Sequence, residues 1–187
     1  MVLKNFLKKL LKRKEKVVKI DIEINKLIPC LIRNRDKKVI KTRVEKIDVS
    51  SLNKNEWMFD WEKLDKNVEV LGLYVEEDDR LQGLIAYEEK KEDLAYMVHL
   101  IENSYFNYKN NPKNTKKIKE YSGIMQVLFF EILKQSMKKG YDGYVYFISK
   151  TYLVDYYHKA LGAVYIGNNK MYIFKNNIQI ITKNFKK

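Results

Sequence analysis

A chain of 187 residues, 45% apolar and 13% aromatic, is long enough to bury a core and too apolar to be disordered throughout. A single cysteine, Cys30, excludes an internal disulfide and a cysteine-built metal site; two histidines, His99 and His158, exclude a histidine-rich one, so no metal is expected. The net charge of +13 points to an anionic partner such as nucleic acid, anionic lipid or a phosphorylated cofactor, although charge bears on association rather than on any one site.

Residues 2–15 read as a basic amphipathic helix: Leu3, Phe6, Leu7, Leu10 and Leu11 recur at helical spacing between lysines and arginines. Such a stripe can dock on protein, on a nucleic acid or on a membrane surface. It lacks the apolar core and cleavage site of a signal peptide, and no apolar run reaches bilayer length. With the lone thiol, this makes a reduced, cytoplasmic protein the natural expectation. Cys30 itself, in "LIPCLIRN", is expected as a buried small hydrophobe.

Strict alternation in "KVVKIDIEI" and "KKVIKTRVEKI" predicts two strands, with "NRDKK" as the turn between them. In "SSLNKNEWMFDWEKLDKN", Ser51 or Asn53 is placed to cap a short helix that would carry Trp57 and Trp61 one turn apart as core anchors. Three antiparallel strands follow at 68–77, 80–90 and 93–103, the first two joined by an acidic turn and the third apolar enough to lie centrally. Residues 104–119 are a long polar loop, of the kind that is functional or mobile. Gly123 then opens the clearest helix, with Ile124, Val127, Leu128, Ile132 and Met137 on one face and Gly140 at its end. A strand at 143–149, a helix at 151–161 closed by Gly162, and two short strands around "NN" complete the pattern. No Gly-x-Gly-x-x-Gly follows a strand, which argues against a dinucleotide fold.

This β-β-β-loop-α-β-α-β-β order, with "YSGIMQVLF" opening the first helix and "YYHKALGA" ending the second, resembles the GNAT superfamily of acetyl-CoA-dependent N-acetyltransferases, small bacterial members in particular. The resemblance covers about residues 67–175, with 16–66 as a variable part of one domain spanning 16–187 and residues 1–15 as a separate helix. It implies an α+β (mixed α/β) fold: a twisted, mostly antiparallel sheet split between the fourth and fifth core strands, with helices on both faces. It implies acetyl-CoA as cosubstrate. The turn Tyr121, Ser122, Gly123, Ile124 and Met125, with Lys119, would meet the pyrophosphate through backbone N–H groups at the helix N-terminus. Leu100, Ile101 and Glu102 would flank the acetyl end of the pantetheine, the strand Tyr144–Phe147 would form the other wall, and Thr151 and Tyr157 would also meet the cofactor. Glu120 departs from the family pattern, which has a basic residue or Gln there, and Met125 departs from Gly or Ala; Lys116, Lys117 and Lys119 can supply charge nearby.

By the same resemblance, Tyr157 is the acid that protonates the departing thiolate, and Glu102, or a water it holds, is the base. Asn103 and His99 would face the substrate; alternation along the strand would set His99 and Glu102 on opposite faces. The acceptor is an amine on a small molecule, a protein or an aminoacyl-tRNA, and a homodimer is compatible with the reading. The competing expectation is a catalytically degenerate binding protein on the same scaffold, acting through its basic surface and N-terminal helix.

Overall fold

The computed structural model describes residues 27–185; the helix expected at 2–15 and the strand expected at 16–24 lie outside the described residues. The described residues form a nine-stranded sheet in the order β6-β1-β2-β3-β4-β5-β7-β9-β8. The strands are β1 (Cys30–Arg33), β2 (Val39–Lys46), β3 (Glu69–Val75), β4 (Asp78–Lys90), β5 (Ala95–Asn103), β6 (Tyr121–Ser122), β7 (Val145–Ile148), β8 (Val164–Tyr165) and β9 (Lys170–Ile173). Every pairing is antiparallel except β5 with β7. The helices are α1 (Ile124–Lys138), α2 (Val154–Leu161) and α3 (Ile178–Ile181), and none is long and apolar enough to cross a membrane.

The turn "NRDKK" does close a hairpin, but its first strand is β1, inside "LIPCLIRN", where Cys30 is buried as expected. β5 lies inside the sheet, between β4 and β7.

The two faces of the sheet are covered differently. One takes the large core, in which Leu73, Ile85, Val98 and Phe147 meet Val127, Leu128 and Ile132 of α1, Leu161 of α2 and Ile178 of α3. α1 is buried on more than the one stripe read from the sequence, because the C-terminal segment covers its outer side: Phe130 packs edge-on against Phe185, centroids 5.0 Å apart. Gly83 lets α1 come this close, since a Cβ there would stand 2.6 Å from Ile124 Cγ2 and 3.0 Å from a backbone oxygen.

The other face carries its helical turns as three 3-10 pieces, Val49–Ser51, Lys54–Glu56 and Trp61–Lys63, which make a strap from β2 to β3. Asn53 caps the middle piece; Ser51 caps none, and Asp48 caps the first. Trp57 and Trp61 are the core anchors expected, edge-to-face at 6.2 Å over Val70, Leu84 and Ala86.

The loop 104–119 is built on three buried asparagines. Asn114 Nδ2 donates to the carbonyls of Tyr108 and Ile118, and Asn111 Oδ1 accepts from the Lys113 N–H. Asn107 donates to the carbonyl and side chain of Gln82 on β4 and accepts from the Tyr121 N–H, which fixes the approach to α1. Asn107→Leu, of similar size, leaves these buried groups without partners and is expected to cost about 2–4 kcal/mol in urea unfolding, whereas Asn110→Ala, outside the network, should change stability by less than about 0.5 kcal/mol.

Candidate functional site

β5 and β7 run parallel and pair only at Tyr96–Val145, Met97–Tyr146 and Val98–Phe147. β5 continues to Asn103, still paired with β4 on its other side, whereas β7 ends at Ile148. From residue 99 onward one edge of β5 therefore has no strand beside it among the described residues, and the sheet parts. The parting starts at a bulge: Ala86 pairs with Leu100 and Tyr87 with Val98, so His99 is the extra residue. An extra residue resets the alternation of side chains. Val98 and Ile101 belong to the helix face, Leu100 to the strap face.

This overturns the expected separation of His99 and Glu102. Both side chains stand on the strap face. His99 is exposed, with Nε2 2.9 Å from Glu88 Oε2. The Lys90 ammonium first, and His99 second, hold Glu88 below the ordinary glutamate range, so it is ionised at neutral pH. Glu102 is buried, and its oxygens accept from the Met58 N–H (2.6 Å), the Phe59 N–H (3.3 Å) and Trp61 Nε1 (3.0 Å). The carboxylate read as a base is in place as the clasp of the strap.

On the helix face a stack of rings leads away from the parting. Phe129 of α1 lies 5.1 Å from Phe147 of β7, which lies 4.8 Å from Tyr157 of α2, itself 5.5 Å from Tyr156. Burial, with Tyr156 and Tyr152 beside it, pushes the Tyr157 phenol above its ordinary value. His158 turns away to the Ala163 carbonyl at the end of α2. Thr151 opens the 3-10 turn before α2, and its Oγ1 donates to Asn169 Oδ1 (3.3 Å).

Gly123 precedes α1 with φ 102° and ψ 3°, a left-handed conformation that glycine adopts without strain. No side chain caps the helix, and among the described residues the N–H groups of Gly123, Ile124, Met125 and Gln126 have no partner. Met125 turns its side chain into the core, so its size does not crowd the turn. Glu120 is drawn aside: Arg80 Nη2 donates to its carboxylate at 2.7 Å while the guanidinium rests 4.3 Å above the Phe106 ring and also binds Asp78. The Ser122 hydroxyl donates to Asn34 Oδ1, which stitches the β1–β2 turn to β6. A cavity of about 780 Å³ opens beside these residues, lined by Arg33, Arg35, Arg80, Lys116, Lys119 and Glu120 among others. A smaller one of about 300 Å³ shares Arg80, Lys116, Ile118 and Glu120.

The structure brings Leu100, Ile101 and His99 to one parting, with Tyr157 behind Phe147 on the helix face, and Tyr121, Ser122, Gly123, Ile124, Met125 and Lys119 to one turn. Asn103 closes β5, opposite Gly83. The sequence reading missed Glu88, Arg80 and Asn107; the hairpin register of β4 against β5 was the signal for the first, and for the other two there was none.

The element order, the mostly antiparallel sheet and its parting between β5 and β7 reproduce the arrangement that the GNAT resemblance implied. Among solved structures, the chain is similar to spermidine/spermine N-acetyltransferase SpeG from Vibrio cholerae (14% identity, 73% of this chain and 95% of that one, TM-score 0.46). A dodecameric form of spermidine N-acetyltransferase from Vibrio cholerae gives 14% identity, 72% and 94% coverage, and a TM-score of 0.48. Nourseothricin acetyltransferase gives 12% identity, 57% and 62% coverage, and a TM-score of 0.35. Neither the family models nor the curated proteins compared with this chain gave a match.

A residue with a Cβ at position 123 has room, the nearest atom being 3.6 Å away, but not the backbone angle. Gly123→Ala is expected to lower the unfolding free energy by about 1–2 kcal/mol with an unchanged circular dichroism spectrum.

Proposed function

We propose that the protein is an N-acetyltransferase that moves an acetyl group from acetyl-CoA to an amine. The observation that carries this is the free edge of β5 beyond the His99 bulge, in line with an uncapped helix N-terminus that begins at a left-handed glycine. An extended pantetheine arm has amides that pair with such an edge as an added strand does. A pyrophosphate suits converging backbone N–H groups at a helix start, and the basic cavity beside the turn suits the nucleotide end. The residues present thus fit the cofactor.

In this reading Leu100 and Ile101 offer backbone to the pantetheine, and Gly123, Ile124 and Met125 offer N–H groups to the phosphates. Lys116 and Lys119 supply the charge that Glu120, tied to Arg80, does not. His99 is assigned as base in place of Glu102, because three donors already occupy the Glu102 oxygens while His99 is exposed and oriented by ionised Glu88. The imidazole takes a proton from the acceptor ammonium. The freed amine would attack the thioester carbonyl carbon, the C–S bond would break as the Tyr157 hydroxyl gives its proton to the thiolate, and the second nitrogen proton, shed as the neutral amide forms, would restore the phenol. A raised phenol pKa keeps that proton in place at neutral pH.

Thermal unfolding with acetyl-CoA, coenzyme A and dephospho-coenzyme A tests the reading. Ligand at a hundred times its dissociation constant should stabilise the fold by about 2.7 kcal/mol. No shift at millimolar acetyl-CoA would overturn it in favour of a binding role for the scaffold. Glu120→Gln, which removes a negative charge beside the turn while Asp78 still holds Arg80, is expected to tighten coenzyme A several-fold by the same assay. Tyr157→Phe should lower kcat by about 10–100-fold with little change in cofactor affinity. Because a proton donor works only below its pKa and this one is raised, the alkaline limb of kcat should lie above pH ~10 and vanish in Tyr157→Phe.

A further inference from the structure

We propose that the acceptor is an amine carried on an apolar or aromatic body with no second cationic group, and that Met58, Phe59, Ile148 and Ile166 are the residues that select it. The inference rests on the acetyltransferase reading and adds the substrate class.

The route to the parting is set by packing. On the helix face the stack Phe129–Phe147–Tyr157 and the core around α1 close the approach. The acceptor comes from the strap face, where His99 stands. That opening is flanked on both sides by exposed apolar groups. Met58 (60% exposed) and Phe59 (43%) sit on the strap, their backbones fixed by the two bonds to Glu102. Ile148 (57%) follows Phe147 on β7, on the strap face because Val145 and Phe147 alternate into the helix-face core. It pairs with Lys170, whose carbonyl accepts from the N–H of Ile166 (56% exposed). An apolar substituent beside the amine would remove this surface from water.

Charge points the same way. A polyamine needs carboxylates for its remote ammonium groups, and the two on β4 and β5 nearest His99, Glu88 and Glu102, are engaged. Glu102 holds three donors, Glu88 holds Lys90 and His99, and Asp93 accepts from the Tyr146 hydroxyl. On the strap, Asp60 is paired with Lys63 and Glu62 with Lys54. Lys170, 4.1 Å above the Tyr146 ring and 5.3 Å above that of Tyr172, adds a positive charge that repels a second cation. The apolar surround also serves the chemistry, since desolvation disfavours an ammonium and eases transfer of its proton to His99.

The test follows coenzyme A release by the full chain with 2-phenylethylamine, tryptamine and hexylamine against spermidine, beside the acetyl-CoA thermal shift. At least one apolar amine is expected to exceed spermidine in kcat/KM by 10-fold or more. Met58→Ala with Phe59→Ala should raise KM for that amine by 10-fold or more while acetyl-CoA affinity stays within twofold. Ile148→Gln, at a separate exposed site, should do the same and guards against a strap that misfolds. Preference for spermidine, rejection of every apolar amine while acetyl-CoA binds, or an unchanged KM in both variants would overturn the substrate class and leave the acetyltransferase reading standing. Absence of acetyl-CoA binding would overturn both.

Discussion

Between Val98 and Leu100, β5 holds one residue more than β4 can pair, and that extra residue shapes the site. It increases the local twist and bends the strand away from its neighbour. β7 follows β5 for three residues and then leaves it. Among the described residues, the parting exposes an edge of backbone in the interior of a sheet, where an edge is otherwise covered on both sides. The same extra residue turns His99 and Glu102 onto one face. Glu102 clasps the strap to β5, and His99, nearer the parting, stays partly open to solvent with Glu88 at its ring.

The strap and the helix face depend on each other through this strand. Leu100 and Glu102 hold the strap, while Val98 and Ile101 pack on the helix-face core. A carboxylate that accepts two backbone N–H groups and an indole N–H is a stronger clasp than apolar contact alone, because charge-assisted bonds in a dry setting are short and directional. It also explains why exposed Met58 and Phe59 can be held still: their side chains are free while their backbones are not.

Much of the fold was legible in the sequence. The strands at 69–75, 78–90 and 95–103, the helix from Gly123 to Lys138 and the strand, helix and two short strands after it follow from alternation, helical spacing and end signals, whereas the short C-terminal helix Ile178–Ile181 was not read. The bulge was not, because "VHLIEN" satisfies two registers. Adjacent Leu100 and Ile101 let either parity bury an apolar residue. Only Glu102 distinguishes them, since unbroken alternation would have put its charge into the helix-face core with Val98. The strap was misread for a related reason. Two tryptophans four apart suggest a helix, but Asp48, Asn53 and Asp60 each start a new 3-10 turn, and the chain never winds far enough for an α-helix. The loop 104–119 reads as solvated because asparagine is polar; three of its asparagines are buried because their amides replace the backbone partners that the loop lacks.

Net charge gave the weakest guide, and the basic cavity shows why. Its arginines and lysines do different work. Arg33 is bound to Asp36 and Glu77, and Arg80 to Asp78 and Glu120, so four carboxylates fix two guanidinium groups as struts between β1, the β3–β4 hairpin and β6. Planar, multidentate arginine suits that task. Among the described residues Arg35, Lys116 and Lys119 have no such partner in the cavity, and the field there comes from them. The lysines are flexible point charges that follow a phosphate without fixing its orientation. In the proposed acetyl-CoA reading, orientation falls to the backbone N–H groups after Gly123 rather than to side chains. A turn of this kind tolerates Glu120 and Met125, because neither side chain stands where the donors converge.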